Sequence, residues 1–248
     1  MKVRTLAVPA PLRIKAAVCA DFHSENRRMP VDGALELLRS VRPDLILFPG
    51  DIFSDTGTAS VGECFNQNGL NLLLGAARIA PCFFIPGNHE MGLRPDNRRI
   101  LEDAGIRVLD NEFVRMDPFV IGGLSSGYLA PKNRYNAPPG PDPDFPARFA
   151  REEGYHILLC HHPEYYPRYL LDRKIDLICA GHCHGGQWRY YSLIRKEMQG
   201  VYAPGQGLFP ALTSGIHDNK LVISRGLSNN AIIPRINNPT EIVYIGRN

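Results

Sequence analysis

The segment DLILFPGD, residues 44–51, carries four consecutive apolar residues and stops on Pro49-Gly50-Asp51. A run this short, apolar throughout and closed by turn residues, reads as a buried strand whose carboxyl end delivers a carboxylate into a turn. The same pattern recurs on both sides of it. Upstream, LRIKAAVCA (12–20) runs into Asp21-Phe22-His23, and downstream CFFIP (82–86) runs into Gly87-Asn88-His89-Glu90. Further on, YHILLC (155–160) ends at His161-His162-Pro163, and IDLICA (175–180) ends at Gly181-His182-Cys183-His184-Gly185-Gly186-Gln187. Five apolar strands therefore each place polar residues at their carboxyl end.

The helix-like segments VDGALELLRSV (31–41) and GLNLLLGAARI (69–79) separate the first three strands. Continuous apolar strands alternating with helical patterns indicate βαβ units, in which a sheet is covered on both faces and sites form beyond the carboxyl ends of its strands. Asn111 to Leu124 reads as a hairpin, and the Pro-rich PPGPDPDFP (138–146) as a loop leading into another helix-like stretch. The tail adds short strand candidates in GVYA (200–203), KLVISRG (220–226) and EIVYIG (241–246). The expected fold is α/β, a four-layer α/β/β/α sandwich of two mixed β-sheets flanked by helices. Residues 1–248 are expected to form one domain, since no internal repeat, low-complexity tract or long linker interrupts them.

Composition narrows the function classes. With 44% hydrophobic and 21% charged residues the chain has the usage of an ordinary globular protein. A formal charge of +3 is spread over scattered Lys and Arg. No basic stripe with interleaved aromatics marks a nucleic-acid surface, and nothing implies a protein partner. No apolar run reaches the roughly 18 residues that a membrane helix needs, so the sequence as given is expected to be cytoplasmic, with membrane association the alternative for a protein whose native amino-terminal anchor was removed. Six cysteines, Cys19, Cys64, Cys82, Cys160, Cys179 and Cys183, form no C-x-x-C pair and are expected to be buried, reduced thiols.

Asp21, His23, Asp51, Asn88, His89, His161, His182 and His184 all sit at strand ends although they span more than half of the chain. Carboxylate and amide oxygens suit hard divalent cations, and neutral imidazole suits borderline ones. Each piece alone has a bland reading: Gly-Asp after a strand is ordinarily turn chemistry, and a lone strand-end histidine is ordinarily structural. His-x-His before paired glycines is more specific, because it places two imidazoles on a tight turn that backbone can approach closely. All five pieces in order favour a metal site. A carboxylate can bridge two cations about 3.5–4 Å apart, and Asp51 is the natural bridge.

The ordered set resembles the calcineurin-like metallophosphoesterases, whose signature is D-x-H, G-D, G-N-H-[DE], a later H, and G-H-x-H. Here it reads Asp21-Phe22-His23, Gly50-Asp51, Gly87-Asn88-His89-Glu90, His161 and Gly181-His182-Cys183-His184. GHCHGGQ followed by YAPG, VISRGL, a Pro-Arg pair and TEI is similar to a bacterial phosphodiesterase-type branch that often carries an amino-terminal membrane anchor or twin-arginine signal. The resemblance implies a first metal site of Asp21, His23 and His184, a bridging Asp51, and a second site completed by Asn88, His161 and His182. His162 is expected behind the site. His89 is implied to face the phosphate and protonate or stabilise the leaving oxygen, as an imidazole does near neutral pH.

The implied cofactors are two divalent metal ions, Mn²⁺, Fe²⁺/Fe³⁺ or Zn²⁺, and the nucleophile is a hydroxide bridging them. The expected substrate is a small phosphorylated or phosphodiester compound, with a phosphomonoesterase, a nuclease of the same superfamily or an inert metal-binding scaffold as alternatives. Glu90 is expected to orient the His89 turn or cap a helix. Asp55 is a candidate partner of the catalytic imidazole. Arg225 and Arg235 are candidate phosphate contacts with surface ion pairing as the alternative, Tyr165, Tyr166 and Tyr169 read more readily as a packed face than as a specificity pocket, and Trp188 is placed near the site.

Overall fold

The structure, a computed structural model, describes residues 1–8, 14–23, 31–54, 67–90, 93–127, 140–228 and 234–246. In chain order the strands are β1 (Lys2–Leu6), β2 (Ala16–Val18), β3 (Leu45–Phe48), β4 (Cys82–Phe84), β5 (Ile106–Val108), β6 (Glu112–Met116), β7 (Phe119–Leu124), β8 (Tyr155–Cys160), β9 (Leu177–Ala180), β10 (Arg189–Ser192), β11 (Glu197–Gly200), β12 (Tyr202–Ala203), β13 (Gly207–Leu208), β14 (Gly215–His217), β15 (Leu221–Ile223) and β16 (Glu241–Ile245). The helices are α1 (Val31–Val41), α2 (Gln67–Ala77), α3 (Pro95–Asp103) and α4 (Phe145–Phe149). One six-stranded sheet runs β1-β16-β2-β3-β4-β5 and the other β14-β15-β9-β8-β7-β6. Both are mixed: β2 to β5 are parallel with β16 antiparallel to β2, and β7, β8, β9 and β15 are parallel with β6 and β14 reversed at the edges.

Strict alternation along the strands builds three apolar layers between the elements. In β3, Leu45 and Leu47 face the second sheet while Ile46 and Phe48 face the helices, and Phe83 and Phe84 divide the same way in β4. In β8 and β9, Ile157, Leu159, Leu177 and Cys179 meet the first sheet, whereas Leu158, Cys160, Ile178 and Ala180 point to the opposite side. Period-two patterning with both faces apolar is what a sheet covered on both sides requires. Ala34, Leu35 and Leu38 of α1, Leu72, Leu73 and Ala76 of α2, and Leu101 of α3 cover the first sheet. Phe145 and Phe149 of α4, with Tyr165, Tyr166 and Leu170, cover the second. The α/β fold with two mixed sheets flanked by helices is thus as the sequence indicated.

Tyr165 and Tyr166 belong to that outer core, so the packed-face reading holds for them, while Tyr169 is exposed. The hairpin expected at Asn111 to Leu124 is β6–β7, and KLVISRG and EIVYIG supply β15 and β16. GVYA is instead split: Gly200 ends β11 and Tyr202 opens β12, each strand pairing within its own small ribbon. The five described cysteines are free and buried, and burial pushes the Cys82 thiol up to about 12. No helix among the described residues is long and apolar enough to cross a membrane.

Candidate metal centre

The carboxyl ends of β2, β3 and β4 in one sheet and of β8, β9 and β15 in the other open onto the same place, because the parallel strands of both sheets end in loops that hydrogen-bond across the sandwich. Leu227 N–H donates to Ala20 O at 2.8 Å, Ser228 N–H to Asp21 O at 3.1 Å and His182 N–H to Asp21 Oδ1 at 2.9 Å. Asp21 N–H donates to Gly50 O and His23 N–H to Asp51 O, each at 3.1 Å. These bonds hold unusual backbone. Asp21, His23, Asp51, His182 and His184 all have positive φ, between 45° and 69°. A left-handed non-glycine residue costs about 1–2 kcal/mol, and five of them in one site are strain that the loop framework must offset.

The side chains converge in two groups that meet at Asp51. Asp21, His23 and His184 present ligand atoms within 4.8 Å of one another, as do Asp51, His161 and His182. The Nε2 atoms of His23 and His184 are 3.1 Å apart with their rings stacked. Asp51 Oδ2 lies 3.2 Å from His161 Nε2, 3.9 Å from His23 Nε2 and 4.0 Å from His89 Nε2. Asn88 Oδ1 is 3.1 Å from the same His161 nitrogen. His161 Nδ1 donates to Pro49 O at 2.7 Å, which leaves Nε2 facing the two oxygens of Asp51 and Asn88. Such a contact is favourable only with a proton or a cation between the atoms, which is what a metal site supplies.

The charges of the site lean the same way. Burial moves His23 down to about 3 and takes His182 and His184 well below the usual imidazole range, with neighbouring imidazoles adding to the effect. Burial opposes the charge on Asp51, yet His161, His89 and His23 outweigh it and hold the carboxyl well below its ordinary value. Burial opposes the charge on His161 too, and the Asp51 carboxylate overcomes it to raise the imidazole to about 10. Asp21, pushed up to about 7 by desolvation, is tempered by His161 and destabilised by Asp51. The neutral imidazoles of His23, His182 and His184 beside buried carboxylates form a donor set that fits a divalent cation.

Support for these groups comes from residues that the motifs only partly expose. Glu90, fully buried, accepts from Asp51 N–H at 2.8 Å, Phe53 N–H at 2.7 Å and Gly87 N–H at 2.7 Å, so it ties the Asp51 loop to the His89 turn. Replacing it with Gln swaps one acceptor oxygen for a donor amide that faces a backbone N–H. The expected cost is about 1–3 kcal/mol in urea unfolding, the penalty of one unsatisfied buried donor. His162 sits behind His182 with ring centroids 4.3 Å apart, held by Ser126 Oγ at 2.7 Å and Glu164 Oε1 at 3.2 Å. Glu164 lies 3.8 Å from His182 Nε2, an atom without a hydrogen-bond partner among the described residues. Sequence reading passed over Glu164 because it lies inside the aromatic run HHPEYY.

The remaining candidates divide. Arg225 is ion-paired with Glu241, so the pairing alternative is the one the structure shows. Arg235 does reach the centre: its guanidinium donates to Ser228 O and stands 3.0 Å from His184 Nδ1. Trp188 is exposed four residues past His184, its Nε1 donating to Pro234 O at 2.9 Å. Asp55 lies outside the described residues.

A family model for calcineurin-like phosphoesterases matches residues 14–186, which include the ends of β2, β3, β4, β8 and β9 and all the candidate ligands they carry. The chain belongs to the calcineurin-like phosphoesterases. The family is one of metal-dependent phosphoester hydrolases, and the His/Asp groups described above suit that chemistry. Among its relatives is an uncharacterized metallophosphoesterase of Helicobacter pylori, 27% identical over 236 residues, covering 94% of this chain and 59% of that protein. Another is the phosphodiesterase YaeI of Escherichia coli, 28% identical over 196 residues, covering 73% of this chain and 63% of the relative. This calcineurin-like chain therefore spans about three fifths of the length of those curated relatives. A putative 5'-nucleotidase structure from Staphylococcus aureus aligns with 96% of the chain and 55% of its own at a TM-score of 0.47 and 14% identity.

Proposed function

We propose that this chain hydrolyses phosphate esters, phosphodiesters in preference, with two divalent cations. Asp21, His23 and His184 hold one, Asn88, His161 and His182 hold the other, and Asp51 is shared. The observation that carries this reading is the position of Asp51 Oδ2, within 4.0 Å of imidazole nitrogens from both groups and of His89. When bound, such cations would lower the pKa of a coordinated water and draw charge from the phosphoryl oxygens. The donors accept Mn²⁺, iron or Zn²⁺, so availability sets occupancy. The diester preference is supported by the similarity to YaeI, named a phosphodiesterase.

The chain's own residues then do three things. Asp51, with its charge stabilised by surrounding imidazoles, fixes both ligand groups about one carboxylate. Neutral His23, His182 and His184 offer lone pairs without first having to lose a proton. His89 is half-buried at the mouth, anchored through its N–H to Asp51 Oδ1 at 2.9 Å and through Nδ1 to Ser54 O. That carbonyl keeps a proton on Nδ1, which leaves Nε2 as the position that exchanges a proton with the departing oxygen.

The test is hydrolysis of bis-(p-nitrophenyl) phosphate and p-nitrophenyl phosphate by Mn²⁺-loaded protein and its His89→Ala variant. The expected result is faster turnover of the diester and a loss of about 10²–10⁴ in kcat in the variant, the usual contribution of a general acid, at unchanged metal content. A monoester preference would replace the substrate class, and full activity in the variant would remove His89 from the reaction.

A further inference from the structure

The loop that carries His182 and His184 continues into a protrusion that the reaction does not use. Gly185 and Gly186 turn the chain into the ribbon β10–β11, which pairs Arg189 with Gly200 through Ser192 with Glu197. Gly186 and Gly200 are pressed together: a Cβ on Gly186 would stand 2.4 Å from Gly200 Cα, so the base of the ribbon is locked onto the loop. The second ribbon, β12–β13, folds beside it. Between its strands Gln206 Nε2 reaches Cys183 Sγ at 3.2 Å and Leu212 O at 2.7 Å.

The first ribbon closes through Leu193-Ile194-Arg195-Lys196. Connections of this length favour Gly, Asn, Asp and Ser for conformational reasons. Here Leu193 is 83% and Ile194 95% exposed, and Arg195 and Lys196 beside them are exposed as well. Behind the tip Tyr190, Tyr191 and Met198 are exposed, with Tyr202, Leu208 and Phe209 exposed on the neighbouring ribbon. The rings of Tyr190 and Phe209 meet edge to face at 6.3 Å, which joins the two ribbons into one surface. The aliphatic and cationic residues share the tip of the ribbon, and the exposed aromatic residues lie on the strands behind it.

We propose that this surface docks on an anionic phospholipid bilayer. Leu193 and Ile194 enter the acyl boundary, the Tyr, Trp188 and Phe209 rings lie at headgroup level where amphipathic rings partition, and Arg195 and Lys196 pair with acidic headgroups. Charge distinguishes the bilayer from a second copy of the chain. Two tips meeting about a twofold axis would set Arg195 and Lys196 against the same cations, and Glu197, the acid next to them, already accepts from Gln199 at 2.7 Å. Acidic headgroups supply the missing anions. Resting on the phosphodiesterase reading, this names the substrate class: amphipathic phosphoesters whose ester lies at a membrane surface next to the centre.

Trp188 is the only tryptophan of the chain and stands at the root of the ribbon, so its fluorescence reports docking without any label. The test mixes protein with phosphatidylcholine vesicles, with and without phosphatidylglycerol, and follows Trp188 emission and co-sedimentation. Wild type is expected to sediment with the anionic vesicles and shift to the blue, less so at high salt. The double variant Leu193→Asp/Ile194→Asp is expected to lose at least about tenfold in partitioning. Its turnover of the soluble diester should equal wild type, which shows the fold and the centre intact. Binding is read without turnover, so failure of the phosphoesterase reading would not disturb it. No sedimentation with either vesicle, equal binding by the double variant, or a wild-type dimer that the variant dissolves while vesicles are ignored would each overturn the proposal.

Discussion

Asp51→Asn abolishes metal-dependent hydrolysis, with an expected loss in kcat/KM for bis-(p-nitrophenyl) phosphate of at least about a thousandfold. The substitution is nearly isosteric. Its Oδ1 still accepts the His89 N–H, so the turn that presents His89 keeps its anchor. At Oδ2, however, a carboxylate facing the imidazole nitrogens of His161, His23 and His89 becomes an uncharged amide. The charge that both ligand groups share is gone. Metal-derived stabilisation is worth several kcal/mol and each 1.36 kcal/mol is tenfold in rate, which gives the stated factor. Steady-state kinetics beside far-UV circular dichroism checks it, and wild-type turnover in a folded variant would take Asp51 out of the centre.

Gly50→Ala unfolds the site mechanically. Gly50 sits at φ 93°, and a Cβ there would stand 2.7 Å from the Cα and N of Gly87 and 2.8 Å from His161 Nδ1. The left-handed conformation costs a non-glycine residue about 1–2 kcal/mol. Overpacking against backbone, which cannot swing aside as a flexible side chain can, adds about 1–3 kcal/mol. The expected destabilisation is about 2–5 kcal/mol in urea unfolding. Because the atoms that must yield belong to the Asn88-His89 turn and to His161, metal uptake should fall with stability. A variant with unchanged midpoint and metal content would show that the two loops are not in the contact described.

The central strands were legible because covered strands carry continuous apolar runs: LILF, CFF, YHILLC and LICA have no other comfortable reading. The edge strand β1 and the ribbon β10–β11 were not. Lys2–Leu6, KVRTL, mixes charged, polar and half-buried apolar residues, and it becomes a strand only because β16, over two hundred residues later, lies parallel to it. RYYS and EMQG pair with each other outside both sheets, so neither core nor alternation marks them. α3, PDNRRILED, buries Leu101 among polar residues and is too short of apolar positions to be read as amphipathic.

At the candidate site, the polar residues were visible because each interrupts an apolar run. Their arrangement was not. Nothing local in Asp21, Asp51 or His182 announces positive φ, which goes with hydrogen bonds between loops distant in sequence. The role of Glu90 rests on three backbone N–H groups from two loops, a long-range fact. Arg225 resolves into an ion pair with Glu241 only once β16 is placed beside β2.

The measurement that bears most directly on the two-cation proposal is titration of metal-stripped protein with Mn²⁺, following bound metal and diester hydrolysis in the same samples. The proposal predicts two equivalents per chain in wild type, with turnover rising as the second site fills and neither property retained in Asp51→Asn. Saturation at one equivalent, or hydrolysis that persists without metal, would contradict it.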